Sequence, residues 1–398
     1  MIEILLAFFF ISVLLFFLGS GIWVAISMVG VSSIGMILFT SRPVGDAMAT
    51  TIWGASSSWT LTALPLFVWM GEILFRTKLS ENLFEGLAPW LQKLPGGLIH
   101  VNVVGCALFA AISGSSAATV ATVGKMSIPE LRKRKYPEKI LLGSLAGSGT
   151  LGLLIPPSII LIIYGVTVQE SIAKLFIAGI IPGIMIALIF MGYVIIWSLL
   201  NKNKMPLTEE NYSFLNKLSK SKQLIPVILL ILGVIGSIYT GIATATEAAS
   251  LGVVGALILS YFQKSLNLKT FKESLLGATK TSCMIAFILA GATFLSLAMG
   301  FTGLPRNLAI WIQNMELSPY VLIFVLMIFY IILGMFLDGI SAVVLTMAII
   351  EPMIRQAGFD MIWFGIFLVI VVEMAQITPP VGFNLSLIHI SEPTRRLN

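Results

Sequence analysis

Long apolar runs alternate with short polar segments along almost the whole chain. A helix of ~20 mostly apolar residues crosses the ~30 Å hydrocarbon core of a bilayer. The pattern predicts such helices at about 4–18, 22–40, 58–75, 138–164, 172–200, 224–240, 243–262, 281–300 and 360–385. Two further apolar regions, 98–128 and 320–350, are each interrupted by small or polar residues. We therefore expect an all-α polytopic membrane protein.

Composition supports a membrane-embedded chain. Of the 398 residues, 58% are hydrophobic and 11% are charged, against ~25% charged residues in soluble domains. The net charge of +6 fits basic loops and does not indicate nucleic acid binding. Cys106 and Cys283 lie in apolar stretches, which argues against a disulfide or metal framework. No basic residue precedes the first apolar run, so we interpret it as a retained span and not as a cleaved signal.

The distribution of basic residues predicts the topology. Lysine and arginine in short loops favour the cytoplasm. Basic residues concentrate at 125–139, in the polar loop 201–222 and at 264–272, with two predicted spans between successive stretches. All three can therefore be cytoplasmic together, which places the N-terminus outside. The loop 201–222 is the predicted boundary between two halves.

Two sequence features each occur twice in the chain, with nearly the same number of residues between the two copies. "LFAAISGSSAATVATVGKMSIPEL" and "GMFLDGISAVVLTMAIIEPMI" share an apolar run, a polar-glycine break and a later proline, and Ser113 and Asp338 lie 225 residues apart. Pro156-Pro157 and Pro379-Pro380 are separated by 223 residues. Five spans lie between the breaks, so the duplication predicts inverted repeats. Segments 46–57 and 266–280 precede the repeats, and we interpret them as interfacial amphipathic helices, although Lys269, Lys272 and Lys280 are equally compatible with a solvated face.

The breaks predict a transport site. Irregular backbone at membrane depth survives only inside protein or along a cavity, and each Pro-Pro step removes two amide donors. We expect re-entrant hairpins at 98–128 and 320–350 and broken helices at 138–164 and 360–385. Freed oxygens suit sodium, whereas half-helix N-termini attract an anionic substrate, as in secondary transporters. The first hairpin tip should face Pro156, and Asp338-Gly339 should face Pro379.

Several polar residues allow more than one interpretation. Ser113, Ser115 and Ser116 are also small enough to serve close helix packing. Acidic residues inside membranes are functional hypotheses by default, and Asp338 lies in the second break. We expect Glu72 to pair with Arg76 and Glu130 to be interfacial. For Glu247 and Glu373 two roles stay open, as proton-binding sites or as packing residues.

The chain resembles the large permease subunit of tripartite ATP-independent periplasmic (TRAP) transporters, the DctM/SiaM type. The resemblance covers about 1–385 and rests on "LPLFVWMGEIL", "FAAISGSSAATVATVG", "GSGTLGLLIPPSIILIIYG", "TATEAASLG", "LDGISAVVLTMAI" and "QITPPVGFNL". It implies sodium-coupled, elevator-type import of an organic anion such as a C4-dicarboxylate across the bacterial inner membrane. A periplasmic binding protein and a small four-helix membrane subunit are the implied partners, with no cofactor other than sodium as coupling ion.

The resemblance also indicates site residues. For the first sodium site it points to Ser113, Ser115, Ser116, Gly152, Ile155 and Pro157. For the second it points to Gly334, Ala375, Thr378 and Val381, to which we add Asp338 because it lies in the second break. Ala375 stands where the family commonly has glycine. The substrate candidates near hairpin N-termini and hydroxyls are Ser115, Ser116, Thr150, Ser158, Asp338 and Asn384.

The predicted organisation has five parts: scaffold spans 1–45, a first repeat 46–165, scaffold spans 166–265, a second repeat 266–385, and a tail 386–398 that looks foreign to the family. Family members continue with another span where this tail begins. Two other functions compete with TRAP transport. One is a single-component divalent-anion/sodium symporter, and the other is a membrane hydrolase using Ser115 or Ser116 with Glu373. A serine nucleophile needs a base, and no histidine or lysine is evident near these serines, so we expect no enzyme.

Overall fold

A computed structural model describes residues 2–76, 79–206, 213–307, 310, 318–335, 337–379, 382, 384–386 and 388. This part of the chain is helical and contains no strand, which confirms the all-α prediction. Up to the polar loop the helices are α1 (Ile2–Gly19), α2 (Val24–Phe39), α3 (Val44–Ser56), α4 (Ala63–Phe75), α5 (Leu79–Leu91), α6 (Ile99–Ser113), α7 (Ser116–Lys133), α8 (Glu138–Gly149), α9 (Leu151–Leu154), α10 (Ile159–Thr167) and α11 (Ile172–Leu200). After it come α12 (Phe214–Ser221), α13 (Ile225–Tyr239), α14 (Ala245–Phe262), α15 (Leu268–Thr302), α16 (Pro319–Gly334), α17 (Gly339–Gln356) and α18 (Met361–Gln376).

Several of these elements are long and apolar enough to cross a membrane. Within the described ranges there are five such elements, or up to seven when two bent helix pairs each count as one span. The bends are 54° between Val44–Ser56 and Trp59–Phe75 and 56° between Phe214–Ser221 and Ile225–Tyr239. The predicted spans at 22–40, 224–240 and 360–385 correspond to the shorter helices Val24–Phe39, Ile225–Tyr239 and Met361–Gln376.

The prediction of a separate interfacial helix at 266–280 is wrong. Leu268–Thr302 forms one helix of 35 residues that contains both this segment and the predicted span 281–300. No proline interrupts the helix, and Lys280, Thr281 and Ser282 do not break it. In the first half, by contrast, Ser58 has an extended backbone with ψ of 121°, and α3 therefore ends before α4 begins.

Basic segments gather at one end of the molecule. Ile99 of α6, Ile140 of α8 and Val194 of α11 share an apolar cluster with Tyr136 and Met205. This cluster places the open end of the first hairpin beside the start of the polar loop. We refer to this end of the molecule as the basic end. Arg134 pairs with Glu130 at 2.9 Å, and the interfacial position of Glu130 stays a prediction.

The other end of the molecule holds the open end of the second hairpin. Arg355 of α17 donates to the carbonyl oxygen of Val168 at 2.9 Å and lies 3.7 Å from Glu170. Close by, the buried hydroxyl of Tyr164 donates to the carbonyl oxygen of Met361 at 2.6 Å. These contacts join the end of the first broken helix to the second hairpin and to the start of α18.

Helices α2, α4, α14 and α15 pack closely together, with α1, α3 and α13 around them. Arg76 of α4 pairs with Glu72 at 3.1 Å, as predicted, and with Glu273 of α15 at 3.2 Å. Glu247 forms a capping box with Thr244 at the start of α14, which gives this acid a structural role. Helix α11 packs along α6, α9, α10 and α18. The division into scaffold and transport parts stays a prediction.

Removing the Tyr164 hydroxyl should weaken the contact between the halves. We expect Tyr164→Phe to lower the free energy of unfolding by about 0.5–1.5 kcal/mol, because a buried hydrogen bond is lost. Tyr239→Phe is the matched control, since Tyr239 is exposed. Equilibrium unfolding in mixed detergent micelles measures both, and equal effects of the two variants would contradict this role of Tyr164.

Candidate ion and substrate site

The tip of the first hairpin meets the first Pro-Pro break. Gly114 ends α6 with φ of +61°, a conformation that favours glycine, and its carbonyl oxygen accepts the amide of Ile159 at 3.2 Å. A Cβ on Gly114 would lie 2.6 Å from the carbonyl oxygen of Pro157. A Cβ on Gly152 would lie 2.6 Å from the carbonyl oxygen of Ser115. Both glycines therefore permit a close approach of two backbones.

The break itself frees two carbonyl groups. Pro156 and Pro157 lack the N–H groups that would bond to the carbonyls of Gly152 and Leu153 in a continuous helix. The carbonyl of Leu153 accepts the hydroxyl of Ser158 instead. Ser158 also caps α10 by accepting the amide of Leu161 at 3.3 Å. The carbonyl of Gly152 loses its helical donor directly beneath the hairpin tip.

Hydroxyl and carbonyl oxygens cluster inside the tip. The Ser113 and Thr119 hydroxyl oxygens are 2.9 Å apart, and Thr119 donates to the carbonyl oxygen of Ser115 at 2.8 Å. Ser115 caps α7 by accepting the amide of Ala118 at 3.5 Å. This arrangement supplies the oxygen ligands that a hard cation prefers.

Similar groups lie at the second helix break. Gly334 ends α16 against α18, and a Cβ on it would lie 2.6 Å from the Ala375 Cβ. Pro379 has no N–H group that could donate to the carbonyl of Ala375, as the residue at this position would in a continuous helix. The carbonyl of Ala375 instead accepts the amide N–H of Thr378 at 3.0 Å. The Thr378 hydroxyl donates to the carbonyl of Met374 at 2.6 Å. Asp338 is exposed and caps α17 by accepting the amide of Ser341 at 3.2 Å.

The two halves meet between the tips. The Ser116 hydroxyl donates to Oε1 of Gln376 at 3.1 Å across 260 residues of sequence, and both side chains are buried. A Cβ on Gly339 would lie 3.0 Å from Nε2 of Gln376 and 3.2 Å from Cδ1 of Ile160. The first hairpin tip, both helix breaks and the start of α17 therefore converge on one region.

The remaining predicted residues occupy different surroundings. The buried Thr150 hydroxyl donates to the carbonyl of Gly147 at 2.7 Å. Buried Asn384 donates to the carbonyl of Ala146 at 3.4 Å, and its Oδ1 has no hydrogen-bond partner among the described residues. Ile155 lies in the extended part of the first break with ψ of 120°. Val381 lies outside the described residues.

Sequence reasoning missed Gln376 and Thr119. The available signal for Gln376 was a polar amide at the end of an apolar helix and directly before the second break. Glu373 lies one turn earlier and is buried, and its Oε1 has no partner in the described part of the chain. The hydrogen bond of Ser116 goes to Gln376 and not to Glu373, which gives no support to a serine nucleophile activated by that acid.

The helical architecture, the apolar spans and the convergence of two hairpins on two helix breaks define the class: a polytopic helical membrane transport protein. Residues 10–390 match the family described as the tripartite ATP-independent periplasmic transporter, DctM component. The chain belongs to this family. The family membership confirms the resemblance stated above, and it points to transport instead of catalysis.

Two curated relatives are similar to this chain in sequence, and one solved structure is similar to it in fold. The C4-dicarboxylate TRAP transporter large permease protein DctM of Pseudomonas aeruginosa is 32% identical, with 89% of this chain and 83% of the relative covered. The sialic acid TRAP transporter large permease protein SiaM of Vibrio cholerae is 30% identical, with 93% and 86% covered. The YdaH transporter of Alcanivorax borkumensis has a similar fold, with a TM-score of 0.58, 13% identity, and 93% and 90% covered.

A side chain on Gly152 should disturb the hairpin tip. We expect Gly152→Ala to lower the free energy of unfolding by about 1–3 kcal/mol, because backbone atoms of Ser115 and Ser116 must move. Gly143→Ala in α8 is the matched control, since nothing lies within 4 Å of the added Cβ, and it should stabilise by about 0.5–1 kcal/mol. Unfolding in mixed micelles tests both, and tolerance of Gly152→Ala would contradict the close approach.

The Ser116–Gln376 hydrogen bond should couple the two halves energetically. We expect Ser116→Ala and Gln376→Leu to show a coupling energy of about 0.5–1.5 kcal/mol in a double-mutant cycle, the contribution of one hydrogen bond. Ser116→Ala with Tyr239→Phe is the control pair and should be additive. Additivity in the Ser116–Gln376 cycle would show that the two side chains do not interact.

Proposed function

We propose that the chain is the large membrane subunit of a sodium-coupled TRAP transporter that imports an organic acid anion. The observation that carries this proposal is the close packing of the first hairpin tip on the break at Pro156 and Pro157, where Gly114 approaches Pro157 and Ser115 approaches Gly152. Broken helices at matching positions in two halves are the pointer to a secondary transporter's binding site. We further propose that the halves are inverted repeats, since the open ends of the hairpins lie at opposite ends of the molecule.

The first sodium ion is held by the tip and the break together. Hydroxyl oxygens of Ser113, Ser115 and Ser116 and carbonyl oxygens of Gly152, Ile155 and Pro157 form the proposed ligand set. The contact between Gly114 and Pro157 brings these two groups of oxygens to one place. Neutral oxygen ligands suit an ion that must be released in every cycle.

The second sodium ion lies at the second break. Carbonyl oxygens of Gly334, Ala375 and Val381 with the Thr378 hydroxyl form this ligand set, and Asp338 supplies a nearby negative charge. The contact between Gly334 and Ala375 supports the set, since it brings the end of α16 to the break. Ala375 in place of the usual glycine is compatible with a carbonyl ligand.

The substrate binds between the two ion sites. Its carboxylate faces the N-terminal ends of α7 and α17, where the helix dipoles favour an anion. Ser115, Ser116, Thr150, Ser158, Asp338 and Asn384 are the proposed surroundings, and sodium offsets the charge of Asp338 beside an anion. A C4-dicarboxylate is the proposed substrate, because the Pseudomonas aeruginosa relative is named for it.

The remaining assignments follow the family. A periplasmic binding protein delivers the substrate, a small four-helix membrane subunit completes the permease, and the complex resides in the bacterial inner membrane. Elevator-type movement carries the hairpins and both broken helices across the bilayer. A single-component symporter is the competing function, and it differs in needing no binding protein.

Replacing sodium should abolish uptake. With the permease, the small subunit and the binding protein in proteoliposomes, we expect radiolabelled C4-dicarboxylate to accumulate with a sodium gradient and not with a potassium gradient. Accumulation undiminished in potassium would rule out sodium coupling. Accumulation without the binding protein would favour the single-component symporter.

Thr378 links this uptake to the second site. We expect Thr378→Val to raise the sodium concentration for half-maximal uptake about tenfold, equal to ~1.4 kcal/mol of lost ion binding. Thr240→Val is the matched control, because Thr240 also donates to the carbonyl four residues earlier, at 2.8 Å, and lies outside the proposed site. An unchanged sodium dependence in Thr378→Val would remove Thr378 from the ligand set.

A further inference from the structure

Helix α12 is short, amphipathic and exposed on its apolar side. Phe214, Leu215 and Leu218 are 67%, 74% and 49% exposed, and their spacing places them on one face of the helix. Lys217 and Lys220 lie on another face. The 56° bend to α13 turns α12 away from the direction of the adjoining span. Such a helix, with a basic polar face and an apolar face, is typical of one lying in a membrane interface.

The orientation of α12 is fixed by α5. Trp90 donates from Nε1 to the hydroxyl oxygen of Ser221 at 2.6 Å, and the Lys217 ammonium lies 5.3 Å from the centre of the Trp90 ring. The rings of Trp90 and Phe214 are edge-to-face at 6.2 Å. At the end of the helix, Leu224 packs so tightly on Gly86 that a Cβ there would lie 2.6 Å away. The exposed apolar face is therefore held in place by these contacts.

The charges around α12 indicate what kind of surface covers the apolar face of this helix. Lys222 directly follows α12 and is exposed, and Lys202, Lys204, Lys133 and Lys135 are exposed in the segments of the basic end. Glu85 of α5 is an exposed acid on the supporting helix, whereas the exposure of Glu81 is not described and Glu209 and Glu210 lie outside the described residues. Several lysines beside an apolar face complement an anionic leaflet, into which the apolar side chains insert.

We propose that α12, supported by Trp90, is an interfacial anchor that binds anionic phospholipid headgroups in the leaflet at the basic end. Leu215 and Leu218 insert at the headgroup boundary, and the surrounding lysines contact lipid phosphates. Trp90 lies where amphipathic rings are enriched, at the level of the headgroups. The anchor would fix α5 and the start of α13 relative to the membrane plane.

Site-specific quenching tests the anchor. A fluorescent label on Leu215→Cys, in a chain with Cys283→Ser, reports contact with brominated lipids when the protein is in nanodiscs. We expect brominated phosphatidylglycerol to quench the label several-fold more than brominated phosphatidylcholine at equal mole fraction. A label on Ile184→Cys is the matched control, because Ile184 is exposed on the apolar α11, and both lipids should quench it equally.

Charge variants separate headgroup binding from simple insertion. The triple variant Lys202→Gln, Lys204→Gln, Lys222→Gln should bring the ratio of quenching by phosphatidylglycerol to quenching by phosphatidylcholine close to one, because each lysine near an anionic surface contributes about 1 kcal/mol. The corresponding arginine variant should keep the preference. Equal quenching by both lipids, or a preference that survives the glutamine changes, would overturn the proposal. Absence of quenching by either lipid would show that water or a protein partner covers this face, and would overturn it too.

Discussion

A helix broken inside a membrane leaves backbone oxygens that hydrocarbon cannot satisfy, and the packing of this protein follows from that constraint. The carbonyl of Leu153 accepts a hydrogen bond from the hydroxyl of Ser158, and the carbonyl of Ala375 accepts one from the amide N–H of Thr378. The carbonyl of Gly114 accepts a hydrogen bond from the amide N–H of Ile159. The first hairpin tip packs directly on the first break, and this close approach requires glycine at 114 and at 152.

The halves depend on each other at two levels. Near the breaks, Ser116 donates to Gln376, so the first tip is joined to the second broken helix. At the end opposite the basic loops, Tyr164 donates to the carbonyl of Met361, and Arg355 lies near Glu170. A displacement of either broken helix alone would break hydrogen bonds of the other half. This mutual support suits a site in which ions and substrate bind together.

Local chemistry decided which features could be predicted from the sequence. Pro-Pro steps and the Ser-Gly break have direct backbone consequences, so the positions of the helix breaks and the tips were accessible. The pairing of Ser116 with Gln376 was not, because it joins residues 260 positions apart and the local sequence around one does not specify the other. The continuity of α15 was missed because 266–280 was interpreted by its position before the second repeat, matching 46–57, although nothing in its sequence ends a helix before 281–300. The interfacial position of α3 and the inverted relation of the halves stay predictions.

Amide hydrogen exchange around the first break tests the proposed ion binding most directly. Sodium held by oxygens of the tip and the break would stabilise both segments against local opening. We predict that amides at 114–119 and 151–161 exchange more slowly in sodium than in potassium at equal ionic strength, whereas amides of α14 exchange equally in both. Identical exchange of 114–119 and 151–161 in the two salts would contradict an ion site at this break.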